Sequence, residues 1–323
     1  VLVTDCGVPI TDCRKAAASR QFSGEIDMAF EQRLAQAATA VEGRLAELLA
    51  PAQLPAVPER LAAGMRHAVL GGGKRFRPFL VLESATLFDA PMAAALDVAA
   101  ALECIHCYSL VHDDLPAMDN DAVRRGQPTV WKAYDEWTAI LVGDALLTRA
   151  FEITGRLGGE LGARLTVELA RASGASGMVG GQAIDLEADK RGAPLAPSYD
   201  HIRRLQEMKT GALIRFGCLA GPILAGAGDE HERALARYGD HLGFAFQISD
   251  DLLDAEGDAA TVGKAVGKDQ AAGKATLIGH LGIDGARRRL AEVEAAAVAA
   301  LVPYGRKADT LVAAAQFMAS RRS

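Results

Sequence analysis

From Met28 onward the chain is a run of apolar stretches with helical spacing, cut by short breaks that carry Gly and Pro. Phe30, Leu34, Val41, Leu45, Leu48 and Leu49 set the pattern in the first stretch. Breaks follow at 51–58, 71–78, 116–128, 155–162, 190–198, 226–228, 257–273 and 303–305. No segment sustains the strict alternation of a half-buried strand, and no fixed-period repeat emerges. Aromatic residues make up only 5% of the chain, while Gly contributes 33 residues and Ala recurs in runs such as 93–95 and 295–297. Small side chains suit closely packed helices better than a sheet of β-branched and aromatic residues. The expectation is an all-α fold. No linker is long enough to separate two domains, so residues 28–323 read as one large helical domain. Residues 1–27 lack periodicity and read as a non-core extension, with the working protein starting near Met28.

Charge and cysteine usage narrow the partners. Lys and Arg total 35 against 41 Asp and Glu, a net charge of −6, which disfavours a nucleic-acid binder with a broadly basic surface. The five cysteines are odd in number, and Cys6 and Cys13 lie in the polar N-terminal segment. Cys104 and Cys107 lack a second Cys pair to complete a zinc site, so they read as small buried thiols on a helix. Such usage points to a reducing compartment, the cytoplasm. No transmembrane segment is expected, because no apolar stretch of about 18 residues is free of charge, and no secretion signal is evident.

Two Asp-rich clusters carry the strongest chemical signal. The first is Asp113-Asp114, with Asp119 and Asp121 following; the second is Asp250-Asp251 with Asp254. Each reads as the end of an apolar helical stretch, 102–112 and 243–249. Gln247, Asp250 and Asp254 fall on one helical face. Crowded carboxylates repel one another and resist burial unless a cation compensates. Mg²⁺ suits the task, being held by a few carboxylates together with substrate phosphates and water. One Asp doublet alone reads better as a solvated helix end; two on apolar helices reverse that preference.

A basic turn complements them. Gly71-Gly72-Gly73-Lys74-Arg75-Phe76-Arg77-Pro78 fails as a P-loop, because Ala68 stands where the first Gly is needed and Arg75 follows Lys74. A Gly turn presenting Lys74, Arg75 and Arg77 would grip phosphate oxygens. Arg124 and Arg125 add a second basic pair after the first Asp cluster. Carboxylates for metal and cations for phosphate imply a Mg²⁺-dependent, all-α enzyme acting on diphosphates.

These motifs, together with Glu103-x-Ile105-His106-x-Tyr108, Gly181-Gln182-x-x-Asp185, Lys209-Thr210-Gly211 and Phe246-Gln247, occur in an order that resembles the polyprenyl diphosphate synthase family. The likeness runs from about Met28 to the C-terminus and is strongest to the bacterial farnesyl-forming branch. It implies the isoprenoid synthase fold, a single helical bundle with a central cavity, and a homodimer. It implies condensation of isopentenyl diphosphate with dimethylallyl or geranyl diphosphate, using three Mg²⁺ ions. By the same resemblance Asp113, Asp119 and Asp250 hold the metal, with Asp114, Asp251 and Asp254 in support. Lys74, Arg77, His106 and Arg125 match positions for isopentenyl diphosphate, and Arg124, Lys209 and Lys264 match positions for the allylic diphosphate. Lys209, Thr210 and Gln247 are expected beside the allylic cation. Lys268 and Lys274 are expected in a lid.

The resemblance also puts a chain-length gate at Tyr108 and Ser109, just before Asp113. Five helical residues rise about 7.5 Å, so Tyr108 lies more than one isoprene unit from the metal end. An aromatic there implies a C15 product; a geranylgeranyl- or geranyl-forming relative is the alternative. The chain departs from the family in having Leu277 after Thr276, where an aromatic is usual, which bears on packing near the lid. Arg321 and Arg322 read as a solvated tail. A class I terpene cyclase would not need Lys74 and Arg77, and a phosphohydrolase built on His112-Asp113 would leave the second Asp cluster unexplained. A non-catalytic helical partner subunit would not need both Asp clusters intact.

Overall fold

The computed structural model describes residues 24–192, 194, 197–260 and 277–320. Lys264, Lys268, Lys274, Thr276, Cys6, Cys13, Arg321 and Arg322 lie outside the described residues. The chain divides into two units, one of residues 33–173 with 216–228, the other of 1–32 with 174–215 and 229–323.

The first unit contains most of α1 (Gly24–Leu48), which begins ahead of Met28, then α2 (Glu59–Val69), α3 (Phe76–Leu87) and α4 (Met92–Asp113). It continues with α5 (Val130–Ala133), α6 (Glu136–Gly155), α7 (Gly159–Ser173) and the last part of α10 (Ala212–Ala225). The Ala-rich α4 is its axis. Ala95, Val98 to Ile105, Cys107, Tyr108 and Val111 are all buried, as expected of a helix that is apolar all round. By length and composition α4 is apolar enough to cross a membrane, but it is mostly buried inside the protein, with α3 and α6 packed on it. Close approach explains the glycines of α10. A Cβ at Gly221 would meet the backbone of Ser84 at 2.2 Å, and Ser84 Oγ instead donates to Gly217 O while accepting from Gly221 N–H.

Among the described residues the one strand pairing is a hairpin of β1 (Val123–Arg124) and β2 (Gln127–Pro128). Arg125 and Gly126 form its two-residue turn, both with positive φ (52° and 76°), as a turn matched to the right-handed strand twist requires. The hairpin therefore presents Arg125 at its tip.

The second unit holds α8 (Met178–Arg191), α9 (Tyr199–Gln206), a π turn (Glu207–Gly211), α11 (Asp229–Ala260), α12 (Leu277–Leu301) and α13 (Asp309–Ser320). Ile202, Phe244, Ile248, Leu252, Leu277, Leu290 and Val293 form its core. Buried Tyr238 ties α11 to α13 by donating from Oη to Leu311 O (2.7 Å). Three breaks were not anticipated, 88–91, 134–135 and 174–177, while α11 runs through the second Asp cluster, in keeping with the shared helical face of Gln247, Asp250 and Asp254. Cys104, Cys107 and Cys218 are buried thiols outside any disulfide, and burial pushes the Cys104 thiol up to about 12.

Candidate active site

In the first unit, Asp113 closes α4 and Asp114 is its C-cap. The chain then doubles back: Asp119 N–H donates to Asp113 O (2.8 Å) and Asn120 N–H to Leu115 O (3.1 Å). The four-residue spacer thus returns the third aspartate beside the first. Asp114 is buried and accepts from Arg124 at 2.6–2.7 Å, while Asp121 lies 3.3 Å from the same guanidinium. Burial pushes the Asp114 carboxyl up, and Arg124 works against that shift. So Arg124, expected to face substrate, is held in place by the second aspartate of the cluster.

The glycine turn lies against the hairpin tip. Arg125 Nη1 donates to Gly72 O. A Cβ at Gly73 would sit 2.7 Å from the same nitrogen, so any side chain there would push the Arg125 guanidinium aside. Lys74 is exposed on this turn, and Arg77 follows in the first turn of α3. His106 of α4 shares the neighbourhood: burial, then the charges of Arg77, Arg125, Arg75 and Arg124, hold its imidazole well below the ordinary range. A neutral histidine among cations can donate a hydrogen bond to an anion without adding a charge that must be desolvated.

Arg75 corrects the sequence reading. Its side chain is fully buried and pairs with Glu103 at 2.5 Å, so it does not present itself for phosphate. Of the three cations of this segment, only Lys74 and Arg77 remain as candidate anion ligands.

Tyr108 is buried, and its Oη has no hydrogen-bond partner. Its ring meets His112 edge-on at 5.9 Å. Burial, and to a lesser extent the Asp113 charge, raise the phenol to about 12. Ser109 Oγ turns back onto His106 O (2.9 Å).

In the second unit, Lys209 and Thr210 occupy the π turn, a widened turn that departs from ordinary i→i+4 pairing and recurs at functional sites. Two glycines accommodate the extra width. A Cβ at Gly181 would lie 2.2 Å from Lys209 N, and one at Gly243 would lie 2.9 Å from Gly211 Cα. Lys209 Nζ contacts Asp185 Oδ2 at 2.5 Å, joining the π turn to α8. Gln247, Asp250 and Asp254 lie within α11. Asp251 is engaged inside the protein, accepting from Leu277 N–H (3.1 Å) and Gln206 Nε2 (3.5 Å). Burial pushes its carboxyl up to about 6, against the pull of those two bonds.

Sequence reasoning therefore missed the Arg75–Glu103 pair, the π turn and the fit of Gly181 and Gly243. Gly181 and Lys209 carried a signal, since both belong to recognised motifs. Nothing in the sequence tells that the two motifs touch.

The donor set fits a hard divalent cation. Each cluster supplies carboxylate oxygens, Asp113 and Asp119 in the first unit and Asp250 in the second, while Asp114 accepts from Arg124 and Asp251 from Gln206 and Leu277 N–H. Among the described residues no group of three or more His, Cys, Asp or Glu side chains could hold a metal by itself. Mg²⁺ sites of this kind are completed by substrate phosphates and water.

Comparison with known proteins agrees. The chain is 43% identical to farnesyl diphosphate synthase of Escherichia coli over 270 residues, covering 81% of this chain and 88% of the relative. It is 41% identical to the Geobacillus stearothermophilus farnesyl diphosphate synthase over 275 residues, covering 83% and 90%. The crystal structure of an FPP/GFPP synthase from Zymomonas mobilis superposes with a TM-score of 0.79 at 40% identity, covering 91% of this chain and 99% of that one. These neighbours carry the all-α isoprenoid synthase fold, and members of the family require a divalent metal. The polyprenyl synthetase profile matches residues 58–298. With its two Asp clusters and basic turn in that setting, the chain belongs to the polyprenyl synthetase family.

Proposed function

We propose that the chain is a prenyltransferase that joins isopentenyl diphosphate head-to-tail to dimethylallyl and then geranyl diphosphate, yielding farnesyl diphosphate. Residues 28–323 act as one synthase domain, working as a homodimer in the cytoplasm. The observation that supports this reading best is the grouping of Arg77, Arg125 and neutral His106 around the Gly72–Lys74 turn, in a chain that also carries both Asp clusters. A hydrolase or cyclase has no use for a second, metal-free diphosphate grip. Trp137, Ile140 and Leu141 on α6 are about half exposed, an apolar face that suits a second copy of the chain.

In this mechanism Asp113, Asp119 and Asp250 hold the divalent cations, three Mg²⁺ with the allylic diphosphate bound. The metal supplies charge neutralisation of the departing diphosphate, which lowers the barrier to C–O cleavage. Arg124 and Lys209 steady the same diphosphate, with Asp114 and Asp185 fixing where those two cations point. The allylic cation needs a dry pocket, because water would trap it as an alcohol. Oxygens of Lys209, Thr210 and Gln247 face that cation, and a proton then leaves to the released diphosphate. Lys74, Arg77, His106 and Arg125 orient isopentenyl diphosphate so that its double bond attacks. Purified protein given a divalent cation, isopentenyl diphosphate and geranyl diphosphate is expected to release diphosphate and lose that activity with a chelator. No release from folded protein contradicts the reading.

Buried Tyr108, about 7.5 Å up α4 from Asp113 on an ideal rise, closes the tail pocket in this account. Tyr108→Ala is expected to move the main product from C15 to C20 or longer, read by chromatography of the dephosphorylated alcohols. An unchanged product length removes Tyr108 as the gate. A wild-type C20 product would instead favour the geranylgeranyl-forming alternative.

A further inference from the structure

The glycine turn has little conformational preference of its own. Gly72, Gly73 and Arg75 all take positive φ (81°, 137° and 49°). For Arg75 the left-handed conformation costs about 1 kcal/mol, so something outside the turn must hold it there. Its guanidinium provides the hold. Arg75 donates to Glu103 Oε1 on α4 (2.5 Å), to Val69 O at the end of α2 (2.5 Å) and to Glu42 Oε1 on α1 (3.3 Å). Three helices thus converge on one side chain at the N-cap of α3. Glu103 is buried, and it lies one turn of α4 before His106.

A buried ion pair is a poor source of stability, since apolar residues of similar volume often serve as well. Its position is what distinguishes this one. Lys74 and Arg77 flank Arg75, and Arg125 is tied to Gly72 O. From these contacts we infer that Arg75 and Glu103 are positioning residues for the isopentenyl diphosphate site: together they lock the 71–77 turn so that Lys74 and Arg77 face one diphosphate before it binds. This rests on the function proposed above. A turn already in its binding shape spares the ligand the cost of ordering it. Without the lock, a Gly-Gly-Gly segment samples many conformations and the grip weakens. The allylic site and the chemical step do not pass through this turn.

Two variants test the inference. Glu103→Gln keeps the shape but removes the charge. The double variant Arg75→Met with Glu103→Met replaces the pair by apolar side chains. Each is compared with wild type in melting temperature, in KM for both substrates and kcat, and in hydrogen–deuterium exchange of the peptide covering 71–77. The double variant is expected to raise KM for isopentenyl diphosphate by about tenfold or more, with KM for geranyl diphosphate and kcat within about threefold. Exchange in 71–77 should accelerate selectively. Glu103→Gln should show the same split at smaller size, and it carries the test alone if the double variant does not fold. Unchanged KM for isopentenyl diphosphate overturns the inference. So does a lower melting temperature with both KM values moving together, the mark of a merely structural pair. Exchange does not depend on turnover: a wild type that condenses nothing defeats the functional reading, while the exchange of 71–77 still decides whether the pair holds the turn.

Discussion

Asp113→Ala is expected to lower kcat for condensation by about 10³-fold or more, the scale of losing a main electrostatic contact to a departing anion in a water-poor site. Asp113 closes α4, and the backbone of Asp119 is hydrogen-bonded to its carbonyl, so the variant removes one of two adjacent carboxylates proposed to hold the metal while leaving that backbone bond in place. Stability should change little, because the substitution removes a carboxylate from a crowded acidic group. Asp114→Ala would behave differently. It strips half-buried Arg124 of its main, buried partner, so it should cost stability as well as rate. Steady-state kcat at saturating metal, with a melting curve for each variant, separates the two. An Asp113→Ala enzyme retaining a tenth of wild-type kcat would exclude Asp113 as a metal donor.

Gly181→Ala should be nearly as damaging although it adds a single methyl. The new Cβ would fall 2.2 Å from Lys209 N and 2.6 Å from Lys209 Cα, both backbone atoms that cannot rotate aside. Relief requires the π turn to move away from α8, which carries Lys209 and Thr210 with it. Overpacking of this kind costs about 1–3 kcal/mol, and a displacement of about 1 Å in positioning groups costs about 10²-fold in rate. Gly143→Ala is a useful contrast. The three atoms nearest its Cβ all belong to the imidazole of His112, from 2.0 Å, a side chain that can swing away. Comparing melting temperature and kcat for the two variants checks the argument. A wild-type-like Gly181→Ala would mean that the π turn tolerates displacement.

The helix succession was legible because Gly and Pro mark its breaks, and because 5% aromatics left few residues for a sheet core. The break at 174–177 escaped notice although Gly174 and Gly177 lie there, since neighbouring Ala and Ser continue the helical composition. The one-face spacing of Gln247, Asp250 and Asp254 was legible too, since all three lie within α11. Along α11 Asp251 finds partners in Gln206 and Leu277 N–H, contacts that no spacing in the sequence announces. Side-chain type alone cannot separate Lys74 from Arg75. The difference lies in a left-handed backbone and in Glu103, far along the chain, which turn one cation inward and leave the other exposed. The π turn left no trace in periodicity because one widened turn shifts the register by a single residue.

Incubation of the purified protein with Mg²⁺, dimethylallyl diphosphate and excess isopentenyl diphosphate, with chromatographic identification of every prenyl product, puts the whole account to the test. The account predicts a C15 diphosphate as the main end product, with a C10 intermediate that is consumed. Failure of folded protein to extend either dimethylallyl or geranyl diphosphate would contradict it.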